Sequence, residues 1–487
     1  MKAPLSVELL LRAQSAHCRS TAESTGGWLL LLLPMTLFLL IAPQPAAAAS
    51  NNPLRVWTDE DFQQLATPAT APLPVGTIIT PKNWEQYQDY MTETMRVMFR
   101  GDHHFKMPPD LQIVVGPRTP LPLPKLFQAA TEKYSGSATL APAPSIAPGA
   151  LTLQGYKGGL PFPDPQEPNR AMKIEYDSWF TYSPTNNYQG VPVIISDRFG
   201  DNIYEYVEAV EGRPGYNYDP GHPEFDPLMP DIYKFTYDEI TTPEELKYTA
   251  SLNQWHLDPL KFTDLYAFVP ALRRVLRLSP AAVCSPIAGT DVTNDDDCSN
   301  GSNCQQLPLF AATLLGEKKV LAIANLKLES LIASFTTALG DPKYWYTNPD
   351  EIKPLGGWLM PRPSAASWEL RDVYVVAVRR LPSLRKGYCY GTRVFYIDKE
   401  NWHSISPDLW DSQQRYWKGG TYFFTALPIP GTNGDVADTI SEGTLTDLQN
   451  YHQSSGIRVK LDLNGNAGKF ADTRRYGTVA GLQQIMQ

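Results

Sequence analysis

The sequence predicts a mainly β, α+β protein. From about residue 172 apolar and polar residues alternate with a period of two, and tight turns separate the alternating runs. One run, Asp372–Arg379, is apolar on both sides. Val373, Val375 and Ala377 point one way and Tyr374, Val376 and Val378 the other, so both faces of that strand are covered. No fixed-period repeat runs through the chain, which argues against propellers and solenoids. These observations suit a sheet curled around an apolar interior with something packed outside it, or a sandwich core.

Composition supports a folded chain. The 487 residues are 43% hydrophobic and 11% aromatic, enough to bury a sizeable core and to exclude wholesale disorder. The 44 prolines are about twice ordinary usage, and the 19% of charged residues falls short of it. A net charge of −9 argues against general nucleic-acid binding, which needs a basic surface.

Residues 1–49 read as a signal peptide. Lys2, Arg12 and Arg19 precede the apolar run Trp28–Ala42, and Ala47 and Ala49 stand where a signal peptidase reads small residues. The run is shorter than the roughly 18 residues of a membrane span, although an uncleaved anchor is the rival. Cleavage after Ala49 would leave 438 of the 487 residues with a net charge of −10. The long basic region before the run looks Gram-negative, so the expected compartment is the periplasm. The remaining chain divides into an extended, Pro/Ala/Thr-rich leader over 50–75 and one large domain over 76–487. That domain has a helical part (76–150) and a β-rich part (151–487).

The elements follow in order. A helix is expected over 80–99, capped by Thr80, with Trp84, Tyr87, Met91, Met95 and Met98 on one stripe. That stripe packs on the core or forms a lid over an apolar cavity. A second helix is expected over 122–134, and 141–170 reads as loop. MKIEYDSWFTYS (172–183) alternates like a strand, and 191–210 reads as a hairpin turning at Asp197–Asp201. Residues 242–253 read as a short helix, and 261–279 as strand, turn at Pro270–Ala271, and strand. The stretch 314–334 is mixed. Strands are expected over 368–381 and 391–424, with a hairpin tip at Asp398–Asn401.

Catalytic motifs are missing. There is no HExxH, GxSxG, GxxxxGK[ST] or GxGxxG. His103 and His104 are adjacent and make a poor ligand pair, and His222, His256, His403 and His452 are dispersed. The chain reads as a non-enzyme without cofactor or metal. The acids Asp291, Asp295, Asp296 and Asp297 lack a calcium-loop ladder and read as a solvated loop, and Asp462, Asn464 and Asn466 as a turn. Beyond the signal the cysteines are Cys284, Cys298, Cys304 and Cys389. In an exported chain an even count points to disulfides, here Cys298–Cys304 and Cys284–Cys389; zinc is a weak rival for want of CxxC spacing. Arg273, Arg274 and Arg277 form a basic run that either pairs internally or meets an anionic head group.

A series of motifs then stands in order along the chain: FKMPPDLQIVVGP (105–117), GLPFPDP (159–165), DLYAFVPALRRVLRL (264–278), AGTD (288–291) and LLGEKKVL (314–321). WELRDVYVVAVRR (368–380), RVFYIDKENWHSISPDLWDSQQRYWK (393–418) and YGTVAGLQQ (476–484) complete it. The series resembles the family known as domain of unknown function 1329. The resemblance implies a periplasmic protein whose fold is similar to the lipoprotein carrier of the Lol system, a curved antiparallel half-barrel with helices plugging its concave face. It also implies the company of an outer-membrane protein and a resistance-nodulation-division exporter, and no catalytic residues. Val292–Thr293–Asn294 and the Cys-bearing loop depart from the family pattern.

The expected function is therefore a carrier for a lipid-like or hydrophobic small molecule. Its cavity would be lined by Tyr266, Phe268, Val373, Val375, Val394 and Tyr396 with Met91 and Met95, and Arg273 and Arg274 would receive an anionic head. A structural or adaptor subunit of an envelope complex is the alternative, and a hydrolase a third reading.

Overall fold

A computed structural model describes residues 54–101, 104–105, 107–199, 202–287, 289–296, 306–330, 341–348, 353–354, 358–458, 460–463 and 473–486. The signal-like segment, His103, Asp297, Cys298, Cys304, Asn464 and Asn466 lie outside them. One compact unit spans Asn51–Gln487. Among the described residues no helix is long and apolar enough to cross a membrane.

The chain opens with α1 (Asp59–Gln64), β1 (Ile78–Ile79), a 3-10 segment over Trp84–Tyr90, α2 (Glu93–Arg100) and β2 (Ile113–Val114). Next come α3 (Lys125–Tyr134), the small hairpin of β3 (Thr139–Pro142) and β4 (Leu151–Gln154), and α4 (Arg170–Phe180). A first meander holds β5 (Asn186–Ser196), β6 (Asn202–Gly212), β7 (Ile232–Thr242), β8 (Ala250–His256), β9 (Asp264–Val269) and β10 (Arg274–Leu278). Then follow β11 (Phe310–Ala322), β12 (Thr347–Asn348), β13 (Lys353–Pro354) and β14 (Glu369–Arg380). The second meander continues through β15 (Tyr390–Asp398), β16 (Ser404–Asp411), β17 (Tyr416–Pro428), β18 (Val436–Asp447) and β19 (His452–Ile457). After it come β20 (Lys460–Leu463) and helical turns at Thr473–Gly477 and Val479–Leu482.

Among the described residues, 14 strands make one antiparallel sheet, ordered β10-β9-β8-β7-β6-β5-β19-β18-β17-β16-β15-β14-β11, with β20 also on β5. The two meanders join side by side where β5 pairs with β19. The sheet is large, curved and not closed, with β10 and β11 at its ends. This is the curled alternative, not the sandwich.

The registers sort side chains onto two faces. Val207 and Ala209 share the first face with Leu445, Phe395, Val376 and Val378; Tyr188, Phe235, Ile194, Val373, Val375 and Tyr396 lie on the second. On the first face Phe127 of α3 and Ile174 of α4 pack against Phe395 and Val376. On the second, Phe62 of α1 and Val97 of α2 pack against Val375 and Tyr396. Farther along the second face, Met91, Met95 and Trp358 cover Ile194 and Phe423. At its other end Tyr476 and Leu482 cover Phe235, Leu252 and Phe268. The doubly apolar strand β14 is thus covered on both sides, as its pattern requires.

Local chemistry explains where elements depart from expectation. The leader is not wholly extended, because Thr58 and Asp61 form a capping box that starts α1. The expected helix over 80–99 is broken at Met91–Thr92. Thr92 caps a new helix, and the buried Asp408 carboxylate accepts the Glu93 and Thr94 backbone N–H groups, each at 2.9 Å. An anion at a helix N-terminus fixes where that helix begins. The run 172–183 is mostly helix, α4: Met172, Tyr176 and Phe180 pack in one cluster and Ala171 and Ile174 in another. A helix apolar on two sides mimics strand alternation, and packing overrides propensity. Residues 244–248 form turns rather than a helix, and Ala250 onward pairs as β8 with β7 and β9. Within the expected loop over 141–170, Leu151–Gln154 pairs with Thr139–Pro142.

Candidate binding cavity

The floor of the site is the first face of the first meander. Gln189, Val191 and Val193 of β5 alternate with second-face residues, and so do Glu205, Val207, Ala209 and Glu211 of β6. Register sets Val193 beside Glu205, Val191 beside Val207 and Gln189 beside Ala209, and β7 adds Ile240 beside Val207 and Asp238 beside Ala209. The floor is therefore an apolar strip of valines and Ile240 that ends on Glu205 and gives way to polar residues toward Gln189 and Asp238.

A short segment, described over 285–287 and 289–296, roofs this floor. Pro286 bridges Thr293, and the Ile287 N–H donates to the Val292 carbonyl at 2.8 Å. Gly289 takes the left-handed turn at φ +82°, which a side chain resists. Between floor and roof lies a cavity of about 320 Å³, with Ile287 and Val292 above and Tyr422, Leu445 and Ser454 along the wall.

The roof is held at three places. Cys284 forms a disulfide with Cys389, just before β15. Asp291 accepts from Ser454 at 2.9 Å and pairs with His452 Nδ1 at 2.9 Å, which raises the histidine's pKa above its ordinary value. Asp295, fully buried, meets Arg393 at 3.1 Å and the Tyr388 hydroxyl; Asp296 accepts from Tyr390 at 2.7 Å and lies 3.8 Å from Lys418. Burial raises the Asp295 carboxyl while Arg393 pulls it down. Asp291, Asp295 and Asp296, expected in a solvated loop, are thus interior ion-pair partners. The reason is that Arg393 and Lys418 point from the sheet to the roof and need countercharge. Among the described residues no cluster of His, Cys, Asp and Glu could hold a metal.

The cavity lining is acidic. Glu211 is paired with Arg458 at 3.6 Å, Asp238 accepts from Ser251 at 3.4 Å, and Asp296 is held as above. Glu205 is different. It is 4% exposed, its Oε1 is buried with no hydrogen-bond partner among the described residues, and burial pushes its carboxyl up to about 7.

None of the residues expected to line a cavity lines this one. Val373, Val375, Val394 and Tyr396 lie on the second face in a filled core with Trp410 and Tyr416. Met91 and Met95 belong to the neighbouring cluster, Phe268 packs under the C-terminal turns, and Tyr266 packs partly buried beside it. Arg273 and Arg274 are exposed at the β9–β10 turn, and Arg277 pairs with Asp264. The lining residues had a readable signal: Glu205 and Glu211 stand in the alternation of β6 on the same face as Val207 and Ala209. The roof had none, since its partners lie far along the chain.

Residues 78–460 match the family described as "Protein of unknown function (DUF1329)". The chain is 22% identical over 361 residues to "Uncharacterized protein PA3922" of Pseudomonas aeruginosa, covering 73% of this chain and 70% of that protein. It is also similar to the crystal structure of a DUF1329 family protein from Desulfovibrio piger, with a TM-score of 0.43 and 13% identity over 65% of this chain and 100% of that one. For the LolA superfamily protein NE2245 from Nitrosomonas europaea the TM-score is 0.34, at 12% identity over 61% of this chain and 94% of that one.

Proposed function

The chain belongs to the DUF1329 family of proteins of unknown function, and from that premise we propose that it is a periplasmic carrier for a lipid-like or hydrophobic molecule, held in the cavity under the roof. The observation that supports this reading most is a floor of Val191, Val193, Val207 and Ile240 left uncovered by side chains, beneath a disulfide-tethered roof. Under α1 to α4, by contrast, the described faces of the sheet are filled by helices and aromatic side chains. An apolar cavity with a few polar groups is what a small-molecule site requires, and its volume stands at the lower end of the roughly 300–1,000 Å³ usual for such sites. No catalytic step is assigned to it. Export rests on the apolar run Trp28–Ala42 and the small residues Ala47 and Ala49. An outer-membrane protein and an exporter of the resistance-nodulation-division class are the partners such a carrier would serve.

One experiment tests ligand and export together. The chain is expressed with its own N-terminal segment in a Gram-negative host, recovered from the periplasmic fraction without detergent and analysed by native mass spectrometry. The expected spectrum shows a protein beginning at Ser50 that carries a bound apolar molecule, displaced by a pyrene-labelled alkanol. A ligand-free protein that binds no such probe overturns the carrier reading and leaves the adaptor role.

A further inference from the structure

The cavity's ionisable groups are unequally provided for. Glu211, Asp238 and Asp296 each have a partner within the protein. Glu205 is 4% exposed, yet among the described residues it forms no ion pair and its buried Oε1 meets no hydrogen-bond partner. An uncompensated buried carboxylate is costly, so such a group either takes up a proton or is matched by a counter-charge from outside the chain. The groups able to face it are Asp238 of β7, the Glu211–Arg458 pair, and Asp296 of the roof, beyond the valine strip. Of these only Arg458 is cationic, and Glu211 already neutralises it.

Resting on the carrier reading, we propose that the ligand is a cationic amphiphile: a single-chain or ring-sized apolar body bearing one ammonium group, which seats on Glu205 while the body lies along Val193, Val207 and Ile240. Register places this acid at one end of the valine strip, beside Val193 and one step from Val207, so head and body are satisfied together. The same lining works against anions. With Glu205, Glu211, Asp238 and Asp296 all around one cavity and Arg458 the sole base in its lining among the described residues, a carboxylate or phosphate head would meet net negative charge. Burial already raises this carboxyl to about 7, and an ammonium would draw it back into the ionised form.

The test compares three probes of equal chain length, dodecylammonium, dodecanol and dodecanoate. They are titrated calorimetrically below their micelle concentrations at pH 8 into the wild-type protein and Glu205→Gln. In the wild type the ammonium should bind about tenfold or more tighter than the alcohol, the size of one charge-assisted hydrogen bond, with dodecanoate weakest. In Glu205→Gln the alcohol should bind as before and the ammonium preference should fall to about one. Equal or weaker binding of the ammonium in the wild type overturns the inference whatever the variant does, and so does a preference that survives Glu205→Gln. If the alcohol binds without any ammonium preference, only the cationic ligand is lost. If none of the three binds, the carrier reading itself falls and takes this inference with it.

Discussion

At Arg393 a single guanidinium is asked to do three things. It meets Asp295 at 3.1 Å, donates to the Asp295 carbonyl at 2.8 Å and lies 3.7 Å from Asp296, all with 1% of its surface exposed. Removing one member of a buried pair leaves the other charged and unsolvated. Arg393→Met should therefore destabilise the protein by about 3–5 kcal/mol, read as a drop in the midpoint of urea unfolding. Adding Asp295→Leu should restore much of the loss, because a buried pair replaced by apolar groups is often near neutral. A single-variant loss under about 1 kcal/mol would show that the pair does not hold the roof. The acids of this network were plain in the sequence as a cluster, but their burial was not. Charge composition cannot say which of several acids meets a base 98 residues away on another strand.

The roof is the element on which the site depends. Its own contacts are a two-residue bridge, turns and short-range hydrogen bonds of Thr290 and Thr293, all local, so its position over the floor depends on its anchors. The Cys284–Cys389 disulfide spans 105 residues, and bridging so long a loop stabilises chiefly by constraining the unfolded chain. The double variant Cys284→Ala/Cys389→Ala should lose about 2–5 kcal/mol of stability and should also release a bound probe faster, measured by stopped-flow displacement. Unchanged release would separate the bridge from the site. Elements were legible in the sequence in proportion to how locally they are determined. The hairpins β5–β6, β9–β10 and β15–β16 follow from alternation and turn residues, and their boundaries lie close to expectation. Helix α4 alternates like a strand because it is buried on two sides, and nothing local interrupts the helical stripe over 80–99 because the acid that breaks it, Asp408, comes from β16.

Across the whole molecule the question is which face of the sheet binds. Alternation identifies apolar strands but not whether a face is filled by the chain's own segments. The aromatic and valine residues that looked most like a lining sit under α1 and α2, whereas the less apolar face of the first meander keeps an opening. The two faces therefore answer differently to substitution. Val207→Trp, on the first face, projects into the cavity and should abolish probe binding while the unfolding midpoint stays close to that of the wild type. Tyr396→Phe, on the second face, removes the hydroxyl that donates to Asp408 at 2.8 Å. It should cost about 1–3 kcal/mol and leave probe affinity within about twofold. Tyr416 and the first turn of α2 still serve Asp408 in that variant, so the fold survives and affinity remains measurable. The reverse outcome, affinity lost in Tyr396→Phe and kept in Val207→Trp, would move the site to the second face. Stability and binding separate here because one sheet carries both tasks: α1 and α2 close its second face and α3 and α4 part of its first, whereas over the first meander the first face is closed by the roof.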